Sequence, residues 1–221
     1  MTMSIVARGS NCGSIGIVCA TGSLAVGGFV PHIRLGAGAV ITQGFSTSIP
    51  AAEFALEQLT KKRKVEQIVL TLQECDSGSD WRQIGVMDIE GNCAGWTGER
   101  NVGYCGMHIE EGLLIAGNML CNDLVIPAMH ERMHARGNQE TLSETLLAAL
   151  EEGLARGGDR RGCLSAALLV CGIDHPPLSL RIDDSESPVA ALAKLYRRWR
   201  QSKDFQAFLA RLPTSSDPCR Y

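Results

Sequence analysis

With 221 residues, 45% of them hydrophobic, the chain can bury a sizeable core and is too apolar for a disordered one. Its 21 basic and 24 acidic residues leave a net charge of −3, which carries no nucleic-acid footprint, and no apolar run reaches the ~20 residues of a membrane helix. The start lacks the basic head and apolar block of a secretory signal, so a cytoplasmic location is expected.

In such a compartment the nine cysteines, without a C-x-x-C pair, read as reduced thiols. Cys19, Cys93 and Cys171 fall on apolar strands as small core hydrophobes, and Cys12, in a turn, is the thiol expected to be most exposed.

In chain order, residues 3–7 and 15–20 read as strands around a turn whose Gly and Asn suit a hairpin. The glycine-rich stretch 22–28 lacks the Gly-Lys-Ser/Thr ending of a phosphate cradle and reads as close strand packing. Residues 36–42 form another strand. Ser48 and Pro50 open a helical region to about Gln73, in which Leu56, Leu59, Val65, Ile68, Val69 and Leu72 recur at helical spacing. The basic run 61–64 interrupts it as a solvated junction. Strands resume at 84–88 and 93–97, joined by a turn, and at 113–117, with Trp81 and Trp96 expected to fill core or edge.

Helices are predicted from Asp123 to about His134 and from Leu142 to about Leu154, the second capped near Thr141 or Ser143. Strands at 165–170 and 178–182 follow. Ser187 and Pro188 start a last helix with Val189, Leu192, Leu195, Tyr196 and Trp199 on one face. Residues 1–212 read as one domain and 213–221 as a loose tail. This order predicts an α+β fold with two sheets and helices on their outer faces.

His130-Glu131-Arg132-Met133-His134 is a literal H-E-x-x-H, which on a helix puts both imidazoles on one face with the glutamate as a base. Glu140 stands where a longer metalloprotease pattern has a third ligand. At 100° per residue, however, Val125, Ile126, Met129 and Met133 gather on one side, and His130, Glu131 and His134 lie on or near the other. The histidines therefore read as the polar flank of an amphipathic surface helix, and neither a metal nor another cofactor is expected.

The other candidate is Thr2. Methionine is commonly trimmed before a small residue, and a terminal threonine joins a hydroxyl nucleophile to its own α-amine as base. That amine titrates near 7.7–8.0 in its reference state, suited to taking a proton near neutrality.

Segments 2–8 (TMSIVAR), 13–16 (GSIG), 24–27 (LAVG), 38–43 (GAVITQ), 82–88 (RQIGVMD), 117–120 (GNML), 157–162 (GGDRRG) and 165–170 (SAALLV) together resemble one bacterial family, domain of unknown function 1028. The resemblance covers about residues 2–193. That family is similar in fold to the N-terminal nucleophile hydrolases, the superfamily of the proteasome subunits. The resemblance implies a four-layer α-β-β-α sandwich of two antiparallel sheets flanked by helices. The terminal threonine in that setting leads to the expectation of amide-bond hydrolysis in a small or peptide-like substrate, with Thr2 as nucleophile and its amine as base. Proteasome-type relatives place a lysine on a nearby strand, whereas here no lysine precedes Lys61, and Arg34 is the nearest cation by position.

Arg34 is thus expected as electrostatic support, since guanidinium cannot act as a base. Gln43 and Asn118 are expected to offer amide donors to an oxyanion. Asp159 and Arg160 are candidates for substrate contacts or for a structural ion pair, and Arg82, Gln83 and Ser165 share the same motifs. The rival expectation is a non-catalytic member of the fold that binds a ligand or forms a homo-oligomer.

Overall fold

The computed structural model describes residues 2–9, 13–158, 161–172, 175–214 and 217–220. Among them are strands β1 (Thr2–Arg8), β2 (Ile15–Thr21), β3 (Pro31–Arg34), β4 (Gly38–Gly44), β5 (Arg82–Asp88), β6 (Cys93–Thr97), β7 (Tyr104–Glu110), β8 (Leu113–Leu120), β9 (Ser165–Gly172) and β10 (His175–Ile182). The helices are α1 (Ile49–Thr60), α2 (Val65–Cys75), α3 (Val125–His134), α4 (Leu142–Ala155), α5 (Pro188–Gln201) and α6 (Lys203–Leu209). No helix among the described residues is long and apolar enough to cross a membrane.

The strands form two antiparallel sheets. One has six strands in the order β10-β9-β2-β1-β8-β7, and the other has four in the order β3-β4-β5-β6. Side-chain alternation along each strand decides what fills the layers. On β1, Met3, Ile5 and Ala7 join a core with Leu146 and Leu150 of α4 and Val189 and Leu192 of α5. Val6, from the opposite face, packs with Ile41 of β4 and Met87 of β5 in the core between the sheets. On the far side, Val40, Ile84 and Val86 meet Leu56 and Leu59 of α1 and Ile68 and Leu72 of α2. Three apolar cores thus separate four layers, helices outside and sheets inside.

Local chemistry sets the helix ends. Ser48 caps α1, its hydroxyl accepting from the Ala51 N–H at 3.2 Å with Pro50 in the first turn. Lys62, with φ 56°, turns the chain between α1 and α2, and residues 61–64 are exposed there. Thr141 starts α4 with a capping box closed by Glu144. Gly44 ends β4 with φ +120°, where a Cβ would lie 2.6 Å from the Trp81 carbonyl oxygen, so only glycine fits without strain.

Three elements go beyond the sequence expectation. β3 is four residues long and opens on Pro31, a residue placed at a strand's first position because it has no N–H to give. β7 is an edge strand whose Cys105, Met107 and Ile109 alternate with Gly106, His108 and Glu110. α6 begins where the Ser202 hydroxyl accepts from the Phe205 N–H, restarting a helix beyond α5.

Candidate functional site

The alternation that sends Met3 and Ile5 toward the helices sends Thr2 and Ser4 toward the other sheet. Asn118 stands opposite Thr2 on β8, and Thr21 stands opposite it on β2. From the four-stranded sheet come Gln43 of β4 and its cross-strand partner Gln83 of β5. All six side chains are buried, so one end of the layer between the sheets is polar where the rest is apolar.

The hydrogens in this cluster run one way. Gln83 Nε2 faces two fixed acceptors, the carbonyl oxygens of Gly106 and Gly117 at 2.9 and 3.1 Å, together with Thr97 Oγ1 at 3.0 Å. Gln83 must therefore turn its Oε1 to the other side, where it accepts from Gln43 Nε2 at 2.6 Å and Asn118 Nδ2 at 3.3 Å. Gln43 spends its second amide hydrogen on the Thr2 carbonyl oxygen at 3.3 Å, and its Oε1 accepts from the Ser4 hydroxyl at 2.6 Å. The Thr2 hydroxyl donates to Thr21 Oγ1 at 3.4 Å. Among the described residues, Asn118 Oδ1 has no hydrogen-bond partner, although it is buried.

Thr2, Gln43 and Asn118 are therefore brought together, but Gln43 has a different part from the one expected. With both amide hydrogens committed it positions Thr2 and leaves no donor for an oxyanion. Arg34 does not join them. It pairs with Gly38 at the start of β4, five residues from Gln43, or about 17 Å along the strand. There its guanidinium meets Glu53 at 3.2 Å on the surface. Asp159, Arg160 and Cys12 lie outside the described residues.

Ser165 holds the 22–28 loop, donating to the Ser23 carbonyl at 2.6 Å and accepting from the Val26 N–H at 3.0 Å. Arg82 ties Asp76, at 2.5 Å, to Ser46, whose hydroxyl and carbonyl accept from its Nη1. The Arg82 guanidinium holds the Asp76 carboxyl below its usual range, against a smaller opposing effect of burial. Sequence reasoning missed Ser4, Thr21 and Thr97. The signal for Ser4 was its parity with Thr2 on a strand whose other face is wholly apolar.

A second cluster forms at the edge of the six-stranded sheet. His108 and Glu110 of β7 stand opposite Ile115 and Leu113 of β8. Those two belong to the helix-side core, so the edge residues also face α3, which presents His130 and His134 one turn apart. His108 Nε2 and His130 Nε2 lie 3.3 and 3.4 Å from Glu110 Oε2, and His134 Nε2 lies 2.7 Å from Glu110 Oε1. Burial raises the Glu110 pKa, but the contacts with His108, His134 and His130 outweigh it and hold the carboxyl below its usual value. Glu131 of the H-E-x-x-H pattern is exposed, and Glu140 is bound to Arg132 at 2.5 Å.

Residues 2–192 match the model of the family described as "Family of unknown function (DUF1028)". A crystal structure of a Silicibacter pomeroyi protein of that family is 36% identical, with a TM-score of 0.92, covering 99% of this chain and 98% of that one. Anbu (ancestral beta-subunit) from Yersinia bercovieri is 11% identical, with a TM-score of 0.42, covering 96% of this chain and 98% of its own. No curated protein matches the chain. On a family match across residues 2–192, the chain belongs to the family of unknown function DUF1028.

Proposed function

We propose that this protein hydrolyses an amide bond in a small or peptide-like substrate, with Thr2 as nucleophile once Met1 has been removed. The observation that carries the reading is the convergence of a threonine at the start of β1 with the carboxamides of Gln43, Gln83 and Asn118. The freed α-amine would act as the base. Its surroundings are buried and uncharged, and desolvation disfavours an ammonium, which keeps the amine in its basic form at neutral pH without help from a lysine. Asn118 gives one amide hydrogen to Gln83, and its second Nδ2–H is the donor for a developing oxyanion.

The neutrality of the same cluster also favours a second reading, a non-catalytic member of the fold that binds a ligand. Intact mass of the protein from its native host, with and without a hydroxyl-directed covalent probe, separates the two. Hydrolysis requires a mass lacking methionine and an adduct on Thr2 that Thr2→Ala abolishes. Retained Met1, or labelling indifferent to Thr2, leaves the binding reading in place.

A further inference from the structure

We propose that His108, Glu110 and His130 form a binding site for a divalent transition-metal ion of the zinc class, distinct from the Thr2 cluster. Three of the five histidines in the chain gather on one carboxylate, although they come from an edge strand and a helix some twenty residues apart. The His108 and His130 rings lie 4.0 Å apart between centroids, and those of His130 and His134 lie 4.5 Å apart. The donor atoms of His108, Glu110 and His130 all fall within 4.8 Å of one another.

These separations suit an ion. Zinc binds imidazole nitrogen at about 2.0–2.1 Å and carboxylate oxygen at about 2.0–2.2 Å, so tetrahedral donors sit roughly 3.3–3.4 Å apart. The two nitrogen-to-oxygen distances at Glu110 Oε2 are 3.3 and 3.4 Å. Two imidazoles and one carboxylate are a donor set that zinc, nickel and iron(II) accept, and they leave a coordination position open. The side chains of His108, Glu110 and His130 are about one-third exposed, which gives an ion a way in.

His134 takes the other carboxylate oxygen at 2.7 Å, so it is a positioning residue that orients Glu110 rather than a ligand. Glu110 and His134 also line a cleft of about 160 Å³ together with Arg8 and Arg136. Both arginines are engaged with backbone carbonyls, Arg8 with that of Glu90 and Arg136 with that of Glu140.

The H-E-x-x-H spacing thus leads to a metal site by another route than the one it advertises. Its two histidines divide the work, Glu131 is outside, and the carboxylate arrives from β7.

The test uses cobalt(II) on the full chain after chelator treatment and dialysis. Cobalt reports its donors by colour, and thiolate charge-transfer bands would reveal binding at the exposed Cys75, Cys121 or Cys219 instead. The proposal requires a single equivalent with a nitrogen–oxygen spectrum, lost in both His130→Ala and Glu110→Gln. His134→Gln should weaken binding roughly 10–100-fold without abolishing it. Circular dichroism and melting of each variant show whether it is folded, and His108→Gln replaces any that is not. Substoichiometric binding, a thiolate spectrum, or binding that survives both ligand variants overturns the proposal. None of these outcomes depends on Thr2 or on hydrolysis.

Discussion

Ser4 on one sheet donates a 2.6 Å hydrogen bond to Gln43 on the other, so the two sheets are bonded at this end as well as packed. The contact places a polar cluster inside a layer that is otherwise closed by Val6, Ile41, Met87 and Leu114. A buried network of this kind stabilises through the groups it satisfies, and each further group left without a partner costs free energy.

Gln83 is the member on which the others depend. Gln83→Leu would leave the amide hydrogens of Gln43 and Asn118 and the carbonyls of Gly106 and Gly117 without their partner. At about 1–3 kcal/mol for an unsatisfied buried group, the expected loss is roughly 3 kcal/mol or more. That corresponds to a fall in Tm of about 6–12 °C for a domain of this size. Gln67→Ala on the exposed side of α2 should stay within about 0.5 kcal/mol, and urea denaturation of the two variants checks the contrast.

Asp76 and Arg82 carry a pH dependence of definite sign. Their contact at 2.5 Å lowers the folded pKa of Asp76 below the reference value of about 3.9. The stability it contributes is therefore complete above about pH 5 and is lost as pH falls through the folded value. Asp76→Asn should cost about 1–3 kcal/mol at pH 7, since Arg82 is largely buried there, and the gap to the parent protein should narrow toward pH 3. Denaturation midpoints across that range read both.

Thiol chemistry should be uneven. Burial pushes the Cys19 and Cys93 thiols up to about 12, which keeps them protonated at neutral pH. Alkylation of the native protein followed by peptide mass mapping should mark Cys75, Cys121 and Cys219 and spare Cys19 until the chain is unfolded.

Thr141 joins two helices. Its hydroxyl accepts from the Glu144 N–H at the start of α4 and lies 3.1 Å from the Tyr196 hydroxyl of α5. Thr141→Ala should destabilise by about 1–2 kcal/mol, while Thr141→Ser should keep most of the cap. The midpoint of chemical unfolding distinguishes them.

The sequence was legible where one period ran uninterrupted. The β1–β2 hairpin and the strand at 165–170 were readable because Ile, Val and Ala recur on both faces of a central sheet. β7 was not, because Gly106, His108 and Glu110 break the apolar run of this edge strand. With β7 unread, Glu110 had no place beside His130, and the histidines looked like an ordinary polar flank. Arg34 shows the converse error. Counted along the chain it is near the start, but β3 runs so that it ends at the opposite end of β4 from Gln43. The motifs singled out Thr2, Gln43 and Asn118 as candidates, yet the orientation of the Gln43 and Asn118 amides is a property of Gln83 and two backbone carbonyls.

That orientation has a kinetic meaning. The hydrogen bonds that run from Ser4 through Gln43 to Gln83 all point the same way and end on the carbonyls of Gly106 and Gly117 and the hydroxyl of Thr97. Reversing the chain would require Gln83 to turn its nitrogen away from both carbonyls, so the amides are held in one orientation. In the hydrolysis proposed above, the proton of the Thr2 hydroxyl would therefore pass to the α-amine of the same residue and return from it, with the carboxamides around it unmoved.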